Sequence, residues 1–598
     1  MTETSPYPPI GDYAFISDCR SGALVSSSGS IDWCCMPRID KGSCFGRLLS
    51  WENGGHCSFT PKGEWSSSRR YVEDTLVLET TFHTEDGEMR LFDCFALRSN
   101  GEQYPYSHLI RVVEGVRGHA ELDIRALPRF DYGEVRPWLR QEGVQVYSAI
   151  GGNDGLLISS DAEISLVGNH DLEATVSVRA GERVRLSIMA VPPELLDFDP
   201  PEPSDSEELD RRLEETLEWW RQWAAQAELK GPSRSEILRS AMVLKALTYE
   251  PTGAIAAAAT TSLPESPGGD LNWDYRYSWV RDSFFSVRSF AEIGFTSEAD
   301  RFRRFIERSA AGGAEGMQIM YGVGGERRLT EASLEHLEGY RGARPVRAGN
   351  AAANQLQLDA YGTLLELTWR WHQRGNSPDD DYWRFLMELV ENAAKLWSKP
   401  DHGIWETRGK PRHFVHSKVM CWAALDRGLR LAEECMRRAP VKKWEKTRDE
   451  IRAAVEGEGY DKERGVFVQS FGSKQLDAAL LLLPKVDFVD YKDERMVRTA
   501  EAIREELDND GLVRRYRLKS REEGAFVACS FWLVECLARQ DRFDEARHVF
   551  DRAVAAGNDL GLFSEEYDTR QDELLGNFPQ GLSHLSHITA ALAIVEQP

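Results

Sequence analysis

Eleven consecutive residues, Asn272-Trp273-Asp274-Tyr275-Arg276-Tyr277-Ser278-Trp279-Val280-Arg281-Asp282, hold four aromatic rings, two carboxylates and two guanidiniums just before an apolar helical run. Aromatic faces stack on the C–H side of a pyranose, and Arg and Asp forks grip vicinal hydroxyls, so this density of rings and charges suits a sugar pocket. The competing reading is a polar loop that caps a helix. Two acidic loops carry the next chemistry. In Asp401-His402-Gly403-Ile404-Trp405-Glu406-Thr407-Arg408-Gly409, Glu406 stands beside an indole, and a carboxyl partly desolvated there has the raised pKa a general acid needs. In Gly561-Leu562-Phe563-Ser564-Glu565-Glu566-Tyr567-Asp568, three carboxylates fall within four residues, followed by Leu575-Gly576-Asn577-Phe578-Pro579-Gln580. Either loop alone is ordinarily just solvated. Together they offer the two carboxylates of glycoside hydrolysis, one to protonate the leaving oxygen and one to act as nucleophile or as base for water.

A third segment, from Gly339 to Asn350, places Arg341, Arg344 and Arg347 between glycines. Clustered guanidiniums suit phosphate. The P-loop lysine and any nucleotide fingerprint are absent, so hydroxyl recognition is the expectation. His402, His413 and His416 fall near Glu406 without ligand spacing, and the thirteen histidines include no HExxH pattern. No metal and no cofactor are expected.

The elements that must position these residues fall into two classes. From about 10 to 195 short alternating runs such as 75–82 and 120–125 are separated by turn signals at 85–87 and 151–155, which predicts an antiparallel β-sandwich. Prolines at 192–193 and 200–203 predict a linker over 196–234, carrying a helix near 207–227 whose Trp219, Trp220 and Trp223 form an interdomain packing stripe. Beyond Ser235 the periodicity is helical. Apolar runs near 235–249, 279–294, 297–310, 350–373, 379–397, 416–437, 441–455, 473–482, 492–505, 525–539, 541–556 and 581–595 predict about twelve helices. Twelve helices without intervening strands suit a closed double ring, an (α/α)6 toroid, over 235–598, with alternate loops around one funnel. The predicted domains are therefore 1–195, 196–234 and 235–598.

The chain has 598 residues and a net charge of −24, with a pI near 5.1. That balance argues against nucleic acid or an anionic membrane as partner. The segment Met1 to Pro9 lacks a leader pattern, no window reaches the roughly 18 apolar residues of a membrane helix, and ten cysteines include no CxxC pair. Reduced thiols and a cytoplasmic location are the expectation. The sequence carries no signal for oligomeric state.

At these residues the chain closely resembles family-15 glycoside hydrolases, the glucoamylases and the bacterial and archaeal trehalase-like enzymes. Ile10-Gly11-Asp12 through Gly29-Ser30-Ile31-Asp32-Trp33, with Pro37-Arg38, resembles the start of that family's β-sandwich, and Tyr275 to Ser283 its first substrate loop. The resemblance implies that Arg281 and Asp282 hold the 4- and 6-hydroxyls of a terminal glucose, and that Tyr275 sits beside the catalytic water. Arg344-Pro345-Val346-Arg347 and Arg515-Tyr516 match sugar-contacting positions, and Trp279 and Trp405 fall within the matched motifs. Glu406 would be the general acid and Glu565 the general base, with Glu566 the alternative should the match slip by one. Thr407 departs from members that carry a second acidic residue after the acid. The resemblance implies inversion and exo attack on a small α-glucoside or oligosaccharide, trehalose or a short α-1,4 or α-1,6 glucan, with linkage preference set by loops such as 311–340. The competing readings are a disaccharide phosphorylase of similar architecture, which needs one carboxylic acid and a phosphate pocket, and a catalytically silent carbohydrate-binding protein.

Overall fold

The computed structural model describes residues 5–98, 104–229, 231, 233–310, 313–517 and 523–595. Residues 1–4 of the segment read for a leader, 311–312 of the loop 311–340, and the last three of the domain predicted to end at 598 lie outside the described residues.

Antiparallel strands run from Tyr13–Ser17 to Arg183–Ala190. The long strand His108–Leu127 serves two layers. Its first half pairs with Gly87–Phe95 and Arg183–Ala190, and its second half with His56–Pro61 and Asp171–Arg179. Between the halves Gly118 has φ +66°, and a Cβ there would meet Asp86 O at 2.0 Å, so only glycine allows the crossing. The two layers meet around buried Arg111, which pairs with Asp93 at 2.6 Å and donates across to Cys57 O and Gly29 O. The turn signals at 85–87 and 151–155 each become a two-residue hairpin connection. The run predicted from Thr75 enters the sheet only at Leu78, because Thr75 Oγ1 closes a local turn with Val72 O and Val77 N.

Thirteen α-helices follow among the described residues: α1 (Pro193–Phe198), α2 (Ser206–Ala224), α3 (Arg234–Leu247), α4 (Val280–Glu292), α5 (Thr296–Ser309), α6 (Asp359–Gln373), α7 (Asp380–Leu396), α8 (Val415–Glu434), α9 (Val441–Glu458), α10 (Glu494–Glu506), α11 (Val527–Arg539), α12 (Phe543–Val554) and α13 (Gly581–Val595). Helix α1 lies where a linker was expected: Pro193 opens it, since the first turn needs no N–H from that position. Leu196 is buried from there, near the strands Val146–Gly151 and Asp154–Ser160. The side chain of Asp205 caps α2. The tryptophan stripe does join the two parts, with Trp223 stacked 4.0 Å from Phe295 of the helical region and α2 lying along the sandwich strands.

Two predicted helices change form. The run 473–482 becomes a 3-10 helix over Ala478–Val486, which contains Pro484 and starts under an Asp477 cap. Within 350–373, residues 351–354 make a 3-10 turn and the helix proper waits until Asp359. Helices α4, α6, α8, the 3-10 segment, α11 and α13 contact one another in a closed ring, while α3, α5, α7, α9, α10 and α12 pack outside it. The inner members α8, α11 and α13 are buried around most of their circumference, whereas α7, α9, α10 and α12 bury a single stripe. This is the (α/α)6 toroid. Every inner element is entered through a loop from an outer one, so six loops open at the same end of the ring.

The sandwich buttresses the first and the last of those loops. Trp33 Nε1 donates to Ala259 O at 2.9 Å, and Asn558 Nδ2 donates to Gly11 O and Tyr13 O. Arg276 is fully buried against Asp274 (2.8 Å), donates to Tyr132 OH (2.5 Å) and Lys41 O (2.7 Å), and lies over the Trp33 and Tyr132 rings. Removing one partner of a buried pair strands the other charge. Arg276→Met is therefore expected to destabilise the protein by about 3–5 kcal/mol, seen as a lower thermal unfolding midpoint; an unchanged midpoint would refute this role.

Candidate active site

Within the stretch 272–282, Arg281 and Asp282 stand on the first turn of α4, and the part before it, 272–279, divides by alternation. It runs extended: Ala258 N donates to Tyr275 O, Ala257 N to Tyr277 O, and Ser278-Trp279 pair with Met320-Tyr321. Successive side chains therefore point to opposite sides. Asn272, Asp274 and Arg276 are wholly buried away from the funnel. Asp274 also accepts from Gly349 N, and Tyr277 OH does the same. Trp273, Tyr275, Trp279, Arg281 and Asp282 face the funnel instead. Half of the carboxylates and guanidiniums expected to grip sugar thus brace the loop.

The funnel ends in a small inner pocket lined by Ala257, Tyr275, Trp279, Arg281, Asp282, Ile404, Trp405, Glu406, Arg515, Phe526, Glu565, Gln580 and Leu582. It opens into a vestibule of about 530 Å³ that shares Tyr275, Trp405, Glu406 and Arg515 and adds Trp273, Asn350, Arg408, Gln469, Gln475 and Tyr516 among others. All six outer-to-inner loops contribute to these walls.

At the closed end Arg281 forms a bidentate pair with Asp282 (2.6 and 3.2 Å), donates to Ile404 O at 2.5 Å, and stands 3.3 Å from Glu406 Oε1. Trp279 Nε1 donates to the same Glu406 oxygen at 2.5 Å. Glu406 has φ +54° and closes a turn by donating its N–H to Gly403 O. A non-glycine residue held there costs about 1–2 kcal/mol, and the turn carries its carboxyl onto the pocket wall. Burial pushes the Glu406 carboxyl above its ordinary range, opposed by the charge of Arg281 and the indole N–H of Trp279. Trp405 is fixed by its Nε1 bond to Asp477 (2.9 Å) and by contacts with Phe526 and Trp532.

Across the pocket Glu566 opens the middle strand of a short three-stranded sheet, Glu565 is the residue just before it, and the two side chains go to different sides. Glu565 lines the inner pocket, is bonded by the Tyr275 hydroxyl and the Asn577 N–H, and has the glycine Gly576 packed against it. Burial, then the charge of Glu265, pushes its carboxyl up to about 8, with Arg515 and Tyr275 pulling the other way. Glu566 turns from the pocket and accepts from Gly524 N at 3.0 Å. It joins Glu265 and Glu523 around the Arg515 guanidinium, which lies 2.6 Å from Glu265 and 3.2 Å from Glu566 and also bonds Glu523. These three carboxylates approach within 4.8 Å of one another, near enough to hold a cation, and the guanidinium of Arg515 occupies that place.

Arg344 stands apart. It is exposed, its Nε donates to Glu338 O at 3.4 Å, and it lines neither pocket nor vestibule. Arg347, three residues on, lies nearer: its guanidinium is 4.3 Å from the centre of the Trp273 ring, and that of Arg408 is 4.4 Å from it. Gln580, whose Oε1 is buried without a partner, and Glu265 were not singled out from the sequence. A glutamine in a Pro-Gln step and a glutamate between prolines carry no motif, and only the loop convergence brings them in.

The profile of glycosyl hydrolases family 15 matches residues 231–592, and a trehalase-like N-terminal profile matches residues 3–191. The chain is 39% identical to the trehalase of Mycolicibacterium smegmatis over 99% of its own length and 92% of that protein. It is 39% identical to the trehalase of Mycobacterium tuberculosis, covering 99% and 90%, and 35% identical to that of Thermoplasma volcanium, covering 99% and 94%. A bacterial glucoamylase crystallised with acarbose superposes with a TM-score of 0.72 at 12% identity over 99% of this chain and 96% of its own, a likeness of fold alone.

The raised Glu565 carboxyl has a consequence for stability. Its folded pKa, about 8, exceeds the ordinary 4.5. The neutral form is favoured by folding, so the stability it contributes is fully present below pH 4.5 and is lost as pH rises toward 8, by about 1.4 kcal/mol per unit at most. Glu565→Gln removes this loss. The variant should melt above the wild type at pH 8, with the gap closing toward pH 5; a pH-independent difference in thermal unfolding would contradict the assignment.

Proposed function

The chain belongs to glycosyl hydrolases family 15, and from that premise we propose that this glycoside hydrolase cleaves α,α-trehalose with inversion, using Glu406 as acid and Glu565 as base. The observation that carries the reading is the blind inner pocket, where Arg281 and Asp282 close one end while Glu406 and Glu565 stand on its walls. Full-length similarity to trehalases, including the N-terminal region, supports trehalose over a longer glucan.

A glucose ring entering first meets the Arg281–Asp282 fork with its outer hydroxyls, and its anomeric carbon then faces the two glutamates. The second glucose remains in the vestibule, where Trp273, braced by Arg347 and Arg408, offers an aromatic wall. Attack is therefore one-ended. Glu406 gives its proton to the glycosidic oxygen as the C1–O bond breaks. A water beside Tyr275 forms the new C1–O bond and passes its proton to Glu565. The raised Glu406 carboxyl suits a donor at neutral pH. Glu565 must be ionised to accept; Arg515 and Tyr275 favour that form but burial and Glu265 outweigh them, so the working fraction of the base grows as pH rises toward about 8. No step calls for a metal or a cofactor.

We place the protein in the cytoplasm on the strength of its ten cysteines, which are all free, nine of them buried. Among the described residues no helix is long and apolar enough to cross a membrane.

Glu406→Gln and Glu565→Gln are each expected to lower kcat on trehalose by about a hundredfold to ten-thousandfold, with KM little changed. Glucose release at near wild-type rate by either variant would remove that residue from the mechanism, and a dead Glu566→Gln beside an active Glu565→Gln would move the base by one residue.

A further inference from the structure

Behind the pocket floor lies a second, small cavity of about 20 Å³ whose walls include Arg281, Ile404, Asp359, His416 and Lys485. Arg281 and Ile404 therefore separate two spaces, one facing the sugar pocket and one facing the interior of the ring. Asp359, the first residue of α6, is 1% exposed, and neither of its carboxylate oxygens has a hydrogen-bond partner. Buried carboxylates are normally satisfied. His416 Nδ1, on the same wall, is also unpartnered.

The charges facing Asp359 come from every neighbouring element. Arg281 approaches from α4, and Asp401 and Glu406 from the loop between α7 and α8. His416 on α8 is held neutral by burial, and Lys485 on the 3-10 segment is paired with Glu535 at 2.6 Å. Asp401 is already engaged through Oδ2 by Leu358 N at 3.1 Å. Lys418, also buried on α8, donates to Lys399 O and answers Asp401, so Arg281 is the remaining cation facing Asp359. It stands beyond ion-pair distance of the two unpartnered oxygens, and its other side forms the fork with Asp282.

We propose that Asp359 is a positioning residue which, when ionised, anchors Arg281 from behind and sets the grip of the Arg281–Asp282 fork on glucose. This rests on the reading that the fork holds glucose. Burial, then the charge of Asp401, pushes the Asp359 carboxyl up to about 7. The anchor therefore forms as pH rises through neutrality, and glucose should be held more tightly at pH 8 than at pH 6.

The test is glucose binding, followed calorimetrically on the full chain at pH 6 and pH 8. Glu565→Gln is the reference protein in every comparison, so that the other pocket carboxyl titrating in this range is silent. Binding by that reference should tighten with pH, and Asp359→Asn added to it should bind roughly five- to tenfold more weakly at pH 8 and lose the pH dependence. Asp359→Glu should restore the dependence. In an Arg281→Lys background, Asp359→Asn should add nothing, because its effect passes through Arg281. Reference affinity with Asp359→Asn at pH 8, or an equal loss with Arg281 already replaced, overturns the proposal. Should Asp359→Asn fail to fold, Arg281→Lys alone decides, since it must abolish the pH dependence that Asp359→Glu keeps. A wild type that binds no glucose overturns the fork reading and this proposal together.

Discussion

Taking charge out of water is the constraint around which this site is built. Two buried guanidiniums, Arg281 and Arg515, stand on the walls of one pocket, and each is surrounded by carboxylates that would otherwise be expensive to bury. Arg281 answers Asp282 and Glu406. Arg515 answers Glu265, Glu523 and Glu566. The balance is incomplete by design of the geometry. Glu406 and Glu565 both keep raised carboxyls because burial outweighs the cation each can reach. Groups poised in this way can exchange protons near neutrality, which well-paired carboxylates cannot.

The fold supplies the burial. A closed inner ring leaves only its loop ends for a pocket, and all six entering loops converge there, so residues 250 positions apart, such as Glu265 and Arg515, bond directly. The β-sandwich works at a distance. It clamps Arg276 and the loop carrying Trp279 and Arg281, and so fixes the angle at which the fork meets the funnel.

Much of this was legible in the chain. The helical runs appeared because the inner helices are apolar nearly all round and the outer ones on one stripe. The 3-10 segment at Ala478–Val486 did not, because a leucine run ending in proline has helical composition without a continuous helical backbone. Pro193 reads as a break in the sequence, though a proline at the first turn starts a helix as easily as it stops one. The aromatic stretch was visible, but the sorting of its odd and even positions depends on pairing with residues 257–261 and on Trp33 and Tyr132 of the sandwich. Arg344 and Arg347 look alike in sequence, and only the loop's path brings Arg347 onto Trp273. Glu265 and Asp359 carry no local signal at all, since what distinguishes them is burial beside a distant guanidinium.

Attack by a Glu565-activated water on the face opposite the leaving sugar leaves its mark on the anomers that trehalose releases. Proton NMR in the first moments of hydrolysis, before mutarotation, should find α- and β-glucose in equal amounts, because one ring is inverted and the other departs unchanged. Two molecules of α-glucose per trehalose would contradict it.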